Sequence, residues 1–580
     1  NRNSLFYKIK TKGWNSPFRK ILFLTGFLIA VNISAKAAEE RLVPPKNASD
    51  IFGHTLVQDQ KGRTKPLYTL SNDILRKVTG KNTFEGNTSM QVYLGLYLDF
   101  ERWQNVPLIK VANKELRQEL GIKNERAAFS ELVNIAEGSY RIADRVNSIY
   151  SKPPGSRSKK EKEILKVDER VNILFMLQRG DFMKIIPLKD GTLGWSSPGQ
   201  VPDDISNTED SLLITGLTSS LFNALETNNV SEIKLLSESI NRYQHSHSGY
   251  TLPGELKIKA EILYYKLAFF ERLFPFYATT GTILLISLII MVITGSRRPS
   301  LIMRGLIWLL IAGFLFHTVG LGLRWYVSGH SPMSNGYESL IFISWVTLLA
   351  GLFFSRKSLF ALSATAVLAG MALMVAHLSF MDPEITNLVP VLQSYWLTLH
   401  VSIITASYGF LGLGAILGIL VMVLMIFVNR KNRQRISDTI DELTLINYKS
   451  LNLGLYMLTV GTFLGAIWAN ESWGRYWGWD PKETWSLITI VVYTLVVHSR
   501  MIPGMKDIFS FNLFALFAFS SVLMTYFGVN YYLSGLHSYA GGDSLNVPGM
   551  VYLVLVIVAG IAITAYIRYR GAASQLHKFT

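Results

Sequence analysis

Apolar and polar positions divide the chain at about residue 274. Beyond it, apolar runs recur at about 274–295, 302–323, 338–354, 359–378, 396–428, 451–469, 484–502, 508–528 and 550–568. A helix takes about 20 apolar residues to cross a hydrocarbon core of roughly 30 Å, so these nine runs predict a helical membrane bundle. The 396–428 run exceeds one thin crossing and predicts a long helix projecting beyond the bilayer. Before residue 274 the pattern is amphipathic instead, with a helical period around 91–150, 209–240 and 255–273. Pro153-Pro154-Gly155-Ser156 and Ser196-Ser197-Pro198-Gly199 interrupt it, and Pro66-Leu67-Tyr68-Thr69-Leu70-Ser71-Asn72-Asp73 predicts a capped helix start. An apolar stretch at 21–33 comes after Lys8, Lys10, Lys12, Arg19 and Lys20 and precedes Ala35-Lys36-Ala37, which looks like a signal-peptidase site. It reads equally as a signal peptide or as a truncated membrane anchor, and either would export the polar residues C-terminal to it.

The expected fold class is an all-α polytopic membrane protein. Residues 1–35 form a basic flank plus signal peptide or anchor, 36–273 a mostly helical exported domain with a docking or scaffold role, and 274–580 a transmembrane bundle.

Charge gives the bundle an orientation. The net charge of +16 points to a polyanion only until it is located. Residues 36–273 hold 33 basic and 30 acidic side chains, with no basic stripe beyond the short run 157–162, so nucleic acid is not an expected partner. If the 274–295 run enters the cytoplasm, 15 of the 18 basic residues of 274–580 lie inside; only Arg324, Arg475 and Lys482 lie outside. This predicts a multi-pass protein of the cytoplasmic (inner) membrane, surrounded by lipid. Residues 36–273 lie on its outer, periplasmic side and the C-terminus lies inside.

Composition narrows the chemistry. The 580 residues include no cysteine, which excludes disulfides, thiol catalysis, Cys-ligated zinc, Fe–S clusters and a C-x-x-C-H of the chain's own. Tryptophan is concentrated instead: four of the 12 fall within 473–485, in an outward loop at 470–485 between two spans. Aromatic belts line membrane interfaces generally, but a belt scatters its rings over several loops. Here Trp473 and Trp477 are four apart, the spacing of one helical face, and Gly474 and Gly478 would let backbone approach a flat ligand. A large planar apolar ligand would stack on such a surface, and Arg475 and Lys482 would answer its carboxylates.

Histidines are the second clue. His400, near the outer start of the 396–428 helix, and His537, in the outer loop 530–540, flank the aromatic loop at one level. Membrane histidines often serve only as helix–helix hydrogen bonds, but this shared level favours metal ligation. His498 lies deeper, about 20 Å below the outer surface at 1.5 Å per residue. His317, His377 and His330 read as packing or hydrogen-bonding residues, and His54, His245, His247 and His577 as solvated.

The stretch Trp473-Gly474-Arg475-Tyr476-Trp477-Gly478-Trp479-Asp480-Pro481-Lys482-Glu483-Thr484-Trp485 closely resembles the WWD signature of haem-handling proteins. Ser334-Asn335-Gly336-Tyr337-Glu338-Ser339 and Gly535-Leu536-His537-Ser538-Tyr539-Ala540 resemble companion motifs of the CcsA/ResC branch. That branch is the membrane subunit of System II cytochrome c synthase, often fused to a CcsB/ResB partner. The resemblance covers about 300–545 by motif and 274–580 by architecture, and it leaves 36–273 unexplained.

The resemblance implies that haem b is carried outward and presented on the loop by Trp473, Trp477, Trp479, Asp480 and Trp485. It implies that His400 and His537 ligate the iron and act in catalysis, and that His498 holds haem earlier. The activity implied is that of a holocytochrome c synthase (haem lyase), joining haem vinyls to the C-x-x-C-H thiols of an apocytochrome c. The missing cysteines fit a substrate that brings its own. Further implied partners are a thiol-reducing thioredoxin-like protein and a CcsB/ResB-like half. The family's second intramembrane histidine belongs to that half, and 21–33 has none, so the half is expected upstream or on a separate chain. Asp480 and Glu483 read as caps of a helix starting near Pro481, with proton transfer as their alternative role. A haem exporter or chaperone serving another synthase is the runner-up. An unrelated secondary transporter comes third, because internal repeats and broken helices are not evident.

Overall fold

The computed structural model describes residues 43–572, apart from 136, 154–155, 189–193, 199–215, 217–218, 297–298, 379–380, 534 and 536–548. The 21–33 stretch, Ala35-Lys36-Ala37 and the topology markers Arg297 and Arg298 lie outside the described residues.

Residues before 268 build their own apolar core, in which Phe52, Trp103, Phe129 and Leu174 are buried. Helices carry it, chiefly Leu67–Thr79, Ser89–Leu98 and Lys159–Gln178. The described strands are two or three residues long and pair only as small antiparallel hairpins, too short to form a layer. Local chemistry sets the helix starts. Thr88 and Ser158 each accept a backbone N–H three residues on, while Gln91 and Glu161 reach back to close a capping box. The helix expected near Pro66 begins at Leu67, but Pro66 is its N-cap and no side chain caps it.

After residue 268, nine helices are described: α1 Phe269–Thr294, α2 Leu301–Ser328, α3 Gly336–Ser355, α4 Leu359–Ala376, α5 Tyr395–Ile426, α6 Arg433–Trp473, α7 Pro481–Val497, α8 Ile508–Leu523 and α9 Gly549–Ala572. A π-helical turn, Met524–Gly528, and Val529–Tyr532 prolong α8. All nine apolar runs coincide with one of these helices. Eight spans are long and apolar enough to cross a membrane; α7, at 17 residues, is shorter, a rise of about 26 Å. The chain is thus a polytopic membrane protein with a large helical domain outside the bilayer. Hydropathy understated α6, which is 41 residues long, because only its apolar part, 451–469, registers as a span.

Helices α5 and α6 make the closest pairing, and glycine explains it. A Cβ placed on Gly454 would meet Leu411, one on Gly461 would meet Ile404, and one on Gly465 would meet His400. Each step down α6 is matched by a step up α5, so three small residues fix one antiparallel register.

The outer domain is bolted to the membrane domain by charge. Lys65, fully buried in the second strand of a hairpin, reaches Asp73 (3.0 Å), Asp59 (3.1 Å) and Glu384 (3.1 Å). Lys77 adds a second bond to Glu384 at 3.1 Å, and Arg76 pairs with Asp382. Asp382 and Glu384 belong to the loop between α4 and α5. Burial by itself would depress the Lys65 ammonium, but Asp73, Glu384 and Asp59 outweigh it and raise its pKa. Burial would raise the Glu384 carboxyl, yet Lys65, Lys77 and Lys61 hold it at about 2. Further in, Arg324 of α2, read from sequence as an outer-loop charge, is fully buried. Its guanidinium pairs with Glu338 of α3 at 2.7–2.8 Å and donates to Tyr264, just ahead of α1, and to the Pro383 carbonyl.

Candidate functional site

Five helix ends meet at one level: the starts of α3, α5 and α7, the end of α6 and the prolonged end of α8. Between them lies a cavity of about 500 Å³, within the usual range for small-molecule sites. Its walls include Leu397, Ile404, Tyr408, Trp468, Trp477 and Tyr526, and residues of the loop 381–392 and Lys61 of the outer domain also line it.

His400 stands on the α5 wall. Its Nδ1 lies 2.7 Å from the Gly461 carbonyl of α6 and its ring lies parallel to Trp468 at 6.3 Å. A carbonyl can only accept, so Nδ1 donates to it, and in the neutral tautomer with that arrangement the lone pair is on Nε2. This second-partner arrangement orients an imidazole for ligation. Trp468 does not stand out in the sequence, because inside a long apolar run it reads as one more membrane residue. The signal that could have found this wall is Gly461-x-x-x-Gly465, a close-approach motif facing His400.

The aromatic loop is built differently from its sequence spacing. Gly474, at φ +71°, ends α6 as a left-handed C-cap, its N–H bonded to Asn470. Trp473 and Trp477 therefore do not share a helical face. Trp473 stays on α6, edge-on to Trp468 at 4.8 Å, while Trp477 lines the cavity. Gly478 does not admit a ligand either; the Arg475 guanidinium occupies the space a side chain there would need. Trp479, at φ +57°, is 70% exposed and edge-on to Trp477 at 5.8 Å. Trp485 lies on α7 and is not among the cavity-lining residues. Asp480 is buried at the N-cap of α7. Its carboxylate accepts the Lys482 N–H at 2.9 Å, while Glu483 accepts from Gly478 (2.8 Å) and Asp480 (3.2 Å). This is a capping box, the cap reading of these two acids.

The motif 334–339 is drawn to the same place. Ser334, Asn335, Gly336, Tyr337 and Ser339 line the cavity, Asn335 caps α3 by accepting the Glu338 N–H, and Glu338 holds Arg324. His498 is elsewhere: it caps the far end of α7, exposed, with Nδ1 2.8 Å from the Thr494 carbonyl, about 26 Å of helix away. His537 lies outside the described residues. His317 bridges helices as read, with Nε2 3.1 Å from the Ile341 carbonyl and Tyr277 on its other nitrogen. Among the described residues no group of three or more His, Asp or Glu is placed to hold a bare metal ion. The arrangement suits a flat apolar ligand with its own metal: aromatic walls, one oriented imidazole and a cation in the lining.

The family of cytochrome c assembly proteins matches the chain over residues 333–537, a segment that contains most of these walls. Protein NrfI of Wolinella succinogenes is 44% identical over 499 residues, 85% of this chain and 55% of that protein. So long a match reaches well into the outer domain. Cytochrome c biogenesis protein CcsA of Chlamydomonas reinhardtii is 38% identical over 37% of this chain and 63% of its own length. CcsA of Prochlorococcus marinus is 35% identical over 39% of this chain and 81% of its own. The chain thus spans little more than half of NrfI and most of the shorter CcsA proteins.

Proposed function

This chain belongs to the CcsA family of cytochrome c biogenesis proteins, and we propose that it brings haem b to the outer face of the membrane and attaches it to apocytochromes c. The observation that carries the reading is the outer cavity, where His400 is oriented by the Gly461 carbonyl beside Trp468 and Trp477. In this reading His400 Nε2 ligates the iron from one side and His537 from the other. Trp477 and Trp468 hold the macrocycle while Trp473 and Trp479 support them from outside. Asp480 and Glu483 hold the loop in shape rather than transfer protons. His498, at the inner end of α7, receives haem before it reaches the cavity.

Attachment needs no oxidant. Each thiol of the substrate's C-x-x-C-H adds across one vinyl group: sulfur bonds to one carbon, a proton goes to the other, and the π bond is consumed. The protein's part is to hold vinyl and thiol in reacting geometry, an effect worth up to roughly 7–11 kcal/mol. The substrate's histidine then displaces one axial ligand and the product leaves. A thioredoxin-like reductant keeping the thiols reduced, and a CcsB/ResB-like half, complete the proposed set of partners.

Coexpression with a C-x-x-C-H protein tests the proposal. Thioether product should form with the wild type and be lost in a His400→Ala, His537→Ala double variant. Full product from that variant would refute the ligand roles. Haem delivered to the outer face without thioether would make the protein an exporter instead.

A further inference from the structure

The proposed haem reading leaves one charge of the cavity without a task. Among the described residues the charged side chains lining it are Lys61, Asp382, Glu384, Lys482 and Glu483. Glu384 is held by three lysines, including Lys61, and Asp382 faces Arg76. Glu483 is used by the backbone of the aromatic loop. Lys482 differs. Among the described residues its ammonium donates to a neutral amide oxygen, Asn530 Oδ1 at 3.0 Å, while Asp480 directs a carboxylate oxygen to the Lys482 backbone N–H.

Two costs accumulate there. A half-buried ammonium whose described hydrogen-bond partner is a neutral amide keeps a charge that the nearby Asp480 carboxylate offsets only in part. Lys482 also stands in the first turn of α7, where the helix dipole favours anions and opposes a cation. A lysine placed against both is answered by an anion that arrives with the ligand and pairs with the ammonium, the start of α7 itself being capped already by Asp480 and Glu483. Arg475, the other candidate from sequence, is folded onto Gly478 and is not among the cavity-lining residues.

We propose that Lys482, held by Asn530, is the subsite for a carboxylate of the planar ligand that fills this cavity, and so fixes which edge of the ligand faces inward. This rests on the haem reading, in which the carboxylate is a propionate; the opposite edge, with its vinyl groups, is then turned away from Lys482.

The test is a titration of the purified, haem-depleted full chain with haem and with its dimethyl ester, followed by visible absorption. The wild type should bind haem roughly 10- to 100-fold more tightly than the ester, the range of a charge-assisted hydrogen bond. Lys482→Gln should erase that preference by weakening haem alone, and Lys482→Arg should restore most of it. Equal binding of haem and ester by the wild type would overturn the subsite while leaving the haem reading intact. Binding of neither would overturn the haem reading and the subsite with it. The wild-type comparison stands even if the Gln variant does not fold.

Discussion

Gly465→Ala would show whether α6 sets the position of His400. A Cβ at residue 465 would lie 2.6 Å from His400 Nδ1 and still closer to Cε1, where ordinary contact begins at 3.4 Å. The ring must therefore retreat by about 1 Å, because both helix backbones are locked by close contacts at Gly461 and Gly454. That retreat stretches the 2.7 Å bond to the Gly461 carbonyl past hydrogen-bond length, about 3.2 Å, and releases the tautomer and orientation of the imidazole. Overpacking of this size costs about 1–3 kcal/mol. Spent on ligand geometry, it corresponds to a roughly 5- to 150-fold loss of haem affinity. The assay is haem titration of the depleted protein, with the absorption spectrum reporting iron ligation. Gly322→Ala on α2, where a Cβ would meet nothing within 4 Å, is the control. A Gly465→Ala protein with wild-type affinity and spectrum would refute the argument that α6 positions His400.

Three further outcomes are expected. Glu384→Gln removes a carboxylate whose pKa is depressed to about 2, so its stabilisation is complete above about 4.5 and fades as pH falls towards 2. Melting curves of wild type and variant should therefore stay a fixed distance apart from pH 5 to 8 and converge below pH 4.5. Glu338→Gln leaves the fully buried Arg324 without its counter-charge and should cost about 3–5 kcal/mol, read as a large fall in thermal unfolding temperature in detergent. Asp480→Asn, an equally good cap, should keep near-normal thioether yield, whereas Asp480→Ala should lose about 0.5–2 kcal/mol of stability at the start of α7. Loss of product in the Asn variant with the fold intact would make Asp480 a proton donor after all.

Much of the molecule was readable because a bilayer leaves few options. Without water, a spanning segment must satisfy its own backbone, so nine apolar runs meant nine helices, and the basic loops gave them direction. The cap at Asp480 was legible for a similar reason: its hydrogen bonds are made within a few residues, whereas the first N–H groups of the helix at Leu67 go to Thr55 and Gly53 and the side-chain cap expected there is absent. Where sequence reasoning went astray, it extended local periodicity past a break. The i, i+4 spacing of Trp473 and Trp477 assumed a helix that Gly474 terminates, and the two rings part there.

Sequence alone determined the membrane architecture, and from it came the expected outer placement of the aromatic loop and the residue types proposed to handle a planar ligand. Only the tertiary structure decided which of them meet. It joined His400 to Gly461 across 61 residues, and Lys65 to Glu384 across 319. It added Trp468, whose apolar neighbours had concealed it, and set His498 at the other end of α7. It separated Lys482 from Arg475, two cations seven residues apart that look equivalent on paper. The division has one cause. Hydropathy and caps are properties of a segment and its solvent, whereas a cavity is made by side chains from distant segments, brought together by packing that no single segment encodes.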